Sequence, residues 1–272
     1  MKKMTKTIGF IGAGNMGGAI IRGLLSEESR QNSDVIVCDP RENILEELSS
    51  AYPGIQTSTD NAPAAGASIL ILAVKPQVYE AVILGIRDIM APDTIVVTIA
   101  AGLAVEKVSG WFRDKRKIIR TMPNTPALIS EGMTALSPGP NITDEELQSV
   151  QSIFKSVGRT VVMPEHLMNA YTSLAGSSPA WVFMFIEALA DGAVKEGIPR
   201  NQAYEIASQA VMGSARLVAE TGSHPGVLKD QVCSPGGTTI EAVATLEAAG
   251  FRSAVIQAVS DCTARAGELG SK

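Results

Sequence analysis

Two short stretches carry residue types and spacings suited to chemistry. The first is "GFIGAGNMGGA", with Gly12-x-Gly14-x-x-Gly17. It follows the β-rich run "KTIGFIG" and opens a stretch with apolar residues at helical spacing, "NMGGAIIRGLLSE". In that context Gly12 makes a tight turn, Gly14 lets the backbone approach a pyrophosphate, and Gly17 lets helix and strand pack closely. The helix start then offers free N–H groups to phosphates. Asp39 closes the next strand run, "DVIVCD", where an acid bonds adenosine ribose hydroxyls. Arg41 follows closely and has the fork to pair with a 2′-phosphate. The two residues favour different dinucleotides, so NAD and NADP both remain open.

The second stretch is "VCSPGGTTIEAV", Val232–Val243. It breaks an Ala-rich helical pattern, which then resumes at once. Its glycines permit several N–H groups to converge, and the following helix adds partial positive charge. Ser234 and Thr238 add hydroxyl donors. Such a segment holds a carboxylate without any Arg. It equally suits a turn in which Ser or Thr caps the next helix. Two strand-like runs also end in residues suited to a ligand. "AVKPQ" puts Lys75 and Pro76 beyond a strand's carboxyl end, where a nicotinamide ribose would lie. "TIAAG" offers small residues that admit a flat ring or simply pack.

Other chemistries are poorly supplied. The three cysteines, Cys38, Cys233 and Cys262, form no CxxC pair and no even set. That argues against a disulfide framework or a zinc site and for a reducing, cytoplasmic setting. Two histidines, His166 and His224, are too few for a His-built metal site or relay; no metal is expected. Cys233 reads as a packing residue, and Lys75 as a phosphate or ribose partner rather than a nucleophile. A net charge of −5 offers nothing to nucleic acid or an anionic membrane. "AWVFMFIEALADGAV" is interrupted by Glu187 and Asp191 and reads as too short for an uncharged membrane span.

The elements that must position these residues follow from periodicity. "SILILAVK", "DTIVVTIAAG", "KIIRTMP" and "RTVVMP" join the first two strand runs. Short continuous apolar runs separated by helical segments predict an α/β fold with a doubly wound (Rossmann) parallel sheet, placed at 1–164. From 165 to 272 the strand runs stop, and an all-α domain is expected. Ser178-Pro179 should open a long helix with Ser as N-cap, ended by Gly197. A second helix should run from about Asn201 to Thr221, a third should start at the Ser-Pro-Gly-Gly segment, and a fourth at Phe251. The long helix is apolar on more than one face, so it should be buried, against a second subunit in preference to its own sheet domain.

Together these motifs resemble the pyrroline-5-carboxylate reductase family, from Gly9 to the C-terminus. The landmarks are "GFIGAGNMG", "AVKPQ", Ala100 with "AG", "RTMPNTP", "GSSPAWVF", "EALADGAVKEGIP" and above all "HPGVLKDQVCSPGGTTIEAVATLEAAGFRSAV". The resemblance implies the last step of proline synthesis: hydride transfer from NADPH, or NADH, to the imine carbon of L-1-pyrroline-5-carboxylate, giving L-proline. It implies a homodimer or a ring of dimers. It places cofactor contacts on Ile11, Gly12, Ala13, Gly14, Asn15, Met16, Asn61, Ala73, Val74, Lys75, Pro76, Ala100 and Ala101. It places substrate contacts on Ser234, Gly236, Gly237, Thr238 and Thr239, with Glu165 of "PEHLMNA" nearby. Thr239 is expected to hydrogen-bond the ring nitrogen and position it, since a hydroxyl is a poor acid and the imine arrives protonated or takes its proton through water. Two rivals share the layout. β-Hydroxyacid dehydrogenases need a lysine where "GSSPAWVF" offers Trp181, Val182 and Phe183. A non-catalytic nucleotide-binding module would bind cofactor without turnover.

Overall fold

The computed structural model describes residues 6–27, 31–113 and 115–270. In chain order the elements are β1 (Ile8–Ile11), α1 (Asn15–Leu25), β2 (Val35–Cys38), α2 (Glu42–Ala51), β3 (Gln56–Ser58), α3 (Ala62–Ala65), β4 (Ile69–Leu72), α4 (Tyr79–Ile86), β5 (Ile95–Thr98), α5 (Val105–Gly110), β6 (Lys117–Met122), β7 (Gly132–Pro138), α6 (Asp144–Lys155) and β8 (Gly158–Val162). Helices follow: α7 (Met168–Tyr171), α8 (Ser178–Lys195), α9 (Arg200–Thr221), α10 (Pro225–Val232), α11 (Thr238–Ala248) and α12 (Phe251–Gly270).

The chain divides into two compact units. One holds Met1–Gly176 with Cys262–Lys272; the other holds Ser177–Asp261. The change in sequence character at 164/165 lies within the first, just before the helical run begins.

In the first unit one sheet has the order β3-β2-β1-β4-β5-β6-β7-β8. The six strands from β3 to β6 are parallel, in the arrangement of a dinucleotide-binding fold. β7 runs antiparallel to β6, and β8 pairs parallel with β7. Alternate residues of each central strand enter two cores. Phe10, Val37, Ile71 and Val97 pack with Ile20 and Leu24 of α1 and Phe154 of α6. Leu70, Leu72 and Val96 pack with Tyr79, Ile83 and Ile86 of α4. Burial on both faces is what the continuous apolar runs require. β3 and β7 were not expected from the sequence. β3 is a three-residue edge, and β7, "GMTALSP", mixes Thr, Ser and Pro with few apolar residues although most of it is buried.

The long helix begins earlier than Ser178. Residues 165–195 form one helical run, with a π-helical stretch, Thr172–Ser177, leading into α8. Ser178 is therefore no N-cap, and the position before α8, Ser177, is itself helical and caps with no side-chain bond. A π-turn is one way to carry a helix through Pro179, whose missing N–H and ring disturb regular α-bonding. At 31 residues the run is also longer than the sequence suggested, long and apolar enough by length and composition to cross a membrane.

In the second unit α8 packs with α9. The second helix ends as expected at Gly222, which takes a left-handed φ of 63°. α10 was not foreseen. It starts at Pro225, and His224 caps it: the imidazole Nδ1 accepts the Gly226 N–H at 3.0 Å. Burial of the long helix within the chain is not what the structure shows. Only Ala190 of α8 is buried, while Phe183 and Met184 are 60% and 66% exposed.

Candidate functional site

The first unit carries a cleft of about 950 Å³ along the carboxyl ends of β1, β2, β4 and β5. Ile11, Gly12, Gly14, Asn15, Met16, Asp39, Arg41, Asn61, Ala73, Val74, Lys75, Pro76, Ala100 and Ala101 all line it. Of the expected cofactor residues only Ala13 and Gly17 do not, and both support it from behind. Gly12 has φ +98°, and a Cβ there would meet the Ala73 carbonyl oxygen at 2.7 Å. A Cβ on Gly17 would lie 2.4 Å from the Gly12 carbonyl oxygen. At Gly14 the only atom such a Cβ would approach is the Arg41 guanidinium, at 3.9 Å, so its outer face is open. α1 starts at Asn15 with no side-chain cap, which leaves its first N–H groups facing this opening. A turn fixed from behind and open in front is the cradle a pyrophosphate needs.

Asp39 is buried at the end of β2. It accepts the Ala13 N–H at 2.8 Å and the Arg41 N–H at 3.0 Å. The Arg41 side chain adds two bonds, Nε and Nη2 each at 2.8 Å. Burial pushes the carboxyl up, but the Arg41 and backbone donors outweigh it and hold the group at about 2. The acid and the base that favour different dinucleotides are thus bonded to each other.

The sequence did not single out Asn124, Met122, Pro123, Thr125 or Gly176, yet all line the cleft. Asn124 Nδ2 donates to the Ala175 carbonyl at 3.0 Å, and its Oδ1 accepts the Met133 N–H at 2.8 Å. This amide ties the turn after β6 to β7 and to the π-helical stretch. Only its place in "RTMPNTP" hinted at such a role.

Glu165 does not line the cleft. Its Oε1 accepts the Val105 N–H at 2.7 Å and Arg120 Nη1 at 3.2 Å. Arg120 Nη2 reaches Asn169 Oδ1 at 3.3 Å. The carboxylate therefore braces the start of α5 against the end of β6.

In the second unit α11 begins where the Ser-Pro-Gly-Gly-Thr-Thr segment predicts a helix. Its N-cap is Gly237, with no side-chain cap, so neither Ser nor Thr satisfies the first N–H groups. Gly236 adopts φ +66°, and a Cβ on Gly237 would lie 2.4 Å from Ser234 Oγ. The turn is closed by the Gly237 N–H donating to the Ser234 carbonyl at 3.0 Å. Gly236, Gly237 and Thr238 line a concavity shared with Glu196 and Glu241. Ser234 and Thr239 do not line it. The two threonines therefore differ: Thr238 stands with the two carboxylates and Thr239 apart from them. Among the described residues, no cluster of three or more His, Cys, Asp or Glu side chains is assembled.

Residues 165–269 match the family model described as pyrroline-5-carboxylate reductase dimerisation. Residues 7–102 match one described as NADP oxidoreductase, coenzyme F420-dependent. The chain is 46% identical to a pyrroline-5-carboxylate reductase of Escherichia coli over 266 residues, 98% of this chain and 99% of that one. The chain belongs to the pyrroline-5-carboxylate reductase family. Solved structures agree. A pyrroline-5-carboxylate reductase from Coxiella burnetii superposes with a TM-score of 0.92 at 31% identity, covering 97% of this chain and 98% of that one. The pyrroline carboxylate reductase of Plasmodium falciparum, solved with NADP bound, gives 0.86 at 28% identity and covers 98% of each chain. As a reductase of this family the chain is an oxidoreductase with a Rossmann dinucleotide-binding domain and a helical dimerisation domain.

Proposed function

We propose that this chain reduces L-1-pyrroline-5-carboxylate to L-proline with NADPH or NADH, the last step of proline biosynthesis. The observation that carries the reading is the open face of Gly14 beside Asp39, in a chain that aligns end to end with reductases. Bound in that cleft, the dinucleotide supplies a hydride to the imine carbon.

The chain's own residues do the rest. Gly12, Ala13, Gly14, Asn15, Met16 and Gly17 form the pyrophosphate turn, and Asp39 and Arg41 meet the adenosine ribose. Asn61, Ala73 to Pro76, Ala100 and Ala101 line the remaining length. The uncapped start of α11 holds the substrate carboxylate: N–H donors and a hydroxyl bind an anion while taking up neither proton nor hydride. Ser234, Gly236, Gly237 and Thr238 shape that turn. Thr239, outside the concavity with Glu196 and Glu241, orients the ring nitrogen, whose proton comes with the protonated imine or through water. Glu165 serves through its bonds to Arg120 and the Val105 N–H.

On this reading residues 1–164 bind the dinucleotide and 165–272 bind substrate and dimerise. The assembly is a homodimer or a ring of dimers, in the cytoplasm. A second copy, rather than lipid, covers the exposed apolar residues of α8, because Glu187 and Asp191 lie on the same helix. Nucleic acid is no partner for a chain of net charge −5.

The test compares substrates and one variant. NADPH absorbance should fall with the cyclic imine and stay flat with 3-hydroxyisobutyrate. Thr239→Ala should lower kcat by about tenfold to a hundredfold and leave cofactor affinity near wild type. Turnover of the hydroxyacid instead of the imine would reject the assignment, and full activity of Thr239→Ala across pH would remove the threonine's role.

A further inference from the structure

The β4–β5 ladder ends at the Leu72–Thr98 pair. The next residues on each side, Ala73 to Pro76 and Ile99 to Ala101, are two walls of the cleft. Tyr79 sits directly beneath this point. It is fully buried in the core between α4 and the sheet. Its hydroxyl donates to the Leu72 carbonyl at 2.5 Å and accepts the Ile99 N–H at 3.3 Å. One buried atom thus joins the last residue of β4 to the first residue after β5.

The second wall is fixed at other points too. Gly102, with φ +78°, packs its backbone against Gly270 at the end of α12; a Cβ on Gly270 would lie 2.6 Å from the Gly102 carbonyl oxygen. The Val105 N–H is held by Glu165. The loop from Ile99 to Val105 is therefore pinned at its start, middle and end, and Tyr79 is the pin nearest the cleft. A fully buried tyrosine whose phenol is used only for packing would be a poor choice here, since its oxygen must be hydrogen-bonded to be tolerated. Burial also pushes the phenol upward, so it stays protonated and keeps its donor role.

We propose that Tyr79 is a positioning residue for the dinucleotide: its hydroxyl sets the separation of the two cleft walls formed by Ala73–Pro76 and Ile99–Ala101. The proposal rests on the dinucleotide reading of the cleft and not on the identity of the imine. Tyr79 is buried and does not itself line the cleft, so its effect should appear in cofactor binding before it appears in substrate binding.

The experiment uses the full chain and measures NADPH affinity by the fluorescence of the bound reduced nicotinamide. Tyr79→Phe keeps the ring in the core and removes only the hydroxyl. It should raise the NADPH Kd by about tenfold, reduce the fluorescence gain on binding, and leave the KM for the imine within about twofold. Ile83→Val, on the same helix and in the same core but absent from the cleft, is the matched packing control. It should lower thermal stability without changing NADPH Kd. NADPH binding by Tyr79→Phe at wild-type affinity would overturn the proposal, as would an equal loss in Ile83→Val. Should Tyr79→Phe fail to fold, hydrogen exchange in the wild-type chain decides: a slowly exchanging Ile99 amide supports the clasp, and exchange at the rate of an exposed loop overturns it. Wild-type protein that binds NADPH but leaves the imine untouched would sink the reductase reading alone.

Discussion

At the scale of single residues, cofactor choice is proposed to rest on the Asp39–Arg41 pair. Arg41 spends its fork on Asp39, and its Nη2 stands at the edge of the opening, 3.9 Å from where a Cβ on Gly14 would lie. A 2′-phosphate would draw the fork away; a ribose hydroxyl would have to share Asp39 with it. Arg41→Ala should therefore lower kcat/KM for NADPH by about tenfold to a hundredfold, the worth of a charge-assisted bond. With NADH it should change kcat/KM little or raise it. Equal losses with both cofactors would contradict this. The pair also has a signature in acid. Asp39 is depressed to about 2 in the folded chain, so its stabilisation is complete above the ordinary carboxylate value near 4 and disappears as pH falls through about 2. Asp39→Asn should cost on the order of 1–2 kcal/mol at neutral pH. It should also flatten the urea midpoint against pH between about 2 and 4. A midpoint that falls as steeply as wild type would refute the role.

At the scale of elements, the cleft depends on strand ends and a helix start meeting at close range. Gly17→Ala would push a methyl to 2.4 Å from the Gly12 carbonyl oxygen and 2.9 Å from the Ala73 Cβ. It should lower stability by about 1–3 kcal/mol and weaken NADPH binding together. Gly85→Ala, at an exposed position of α4 with open space around the added methyl, should instead stabilise by about 0.4–1 kcal/mol without touching binding. Thermal melts and NADPH titration of the two variants check both signs. The same distinction explains what was legible in sequence. Strands buried on both faces show as unbroken apolar runs, and the glycine turn shows by its spacing after β1. β7 did not show, because burial there is shared by Thr134 and Ser137 on a strand that reverses direction. The π-helical stretch before Pro179, the Asn124 brace and the Tyr79 clasp are long-range arrangements. No local pattern encodes which carbonyl a side chain will find.

At the scale of the whole molecule, the helical unit exposes apolar side chains that water would not favour. Phe183 and Met184 on α8, Met212 on α9 and Ile256 on α12 are all more than half exposed. These residues lie in the stretch that matches a dimerisation domain, and self-association would cover such surface. Phe183→Arg should shift sedimentation toward the monomer while NADPH affinity stays near wild type. A wild-type chain that sediments as a monomer at micromolar concentration would contradict the expected assembly. In the proposed reaction a hydride passes from the dinucleotide to the imine carbon of the substrate. The most direct measurement supplies NADPH deuterated on one or the other face at nicotinamide C4 and examines the proline by mass spectrometry. Direct hydride transfer leaves one deuterium at the former imine carbon, from one of the two labelled faces only. Proline without label from either form, or no proline at all, would contradict it.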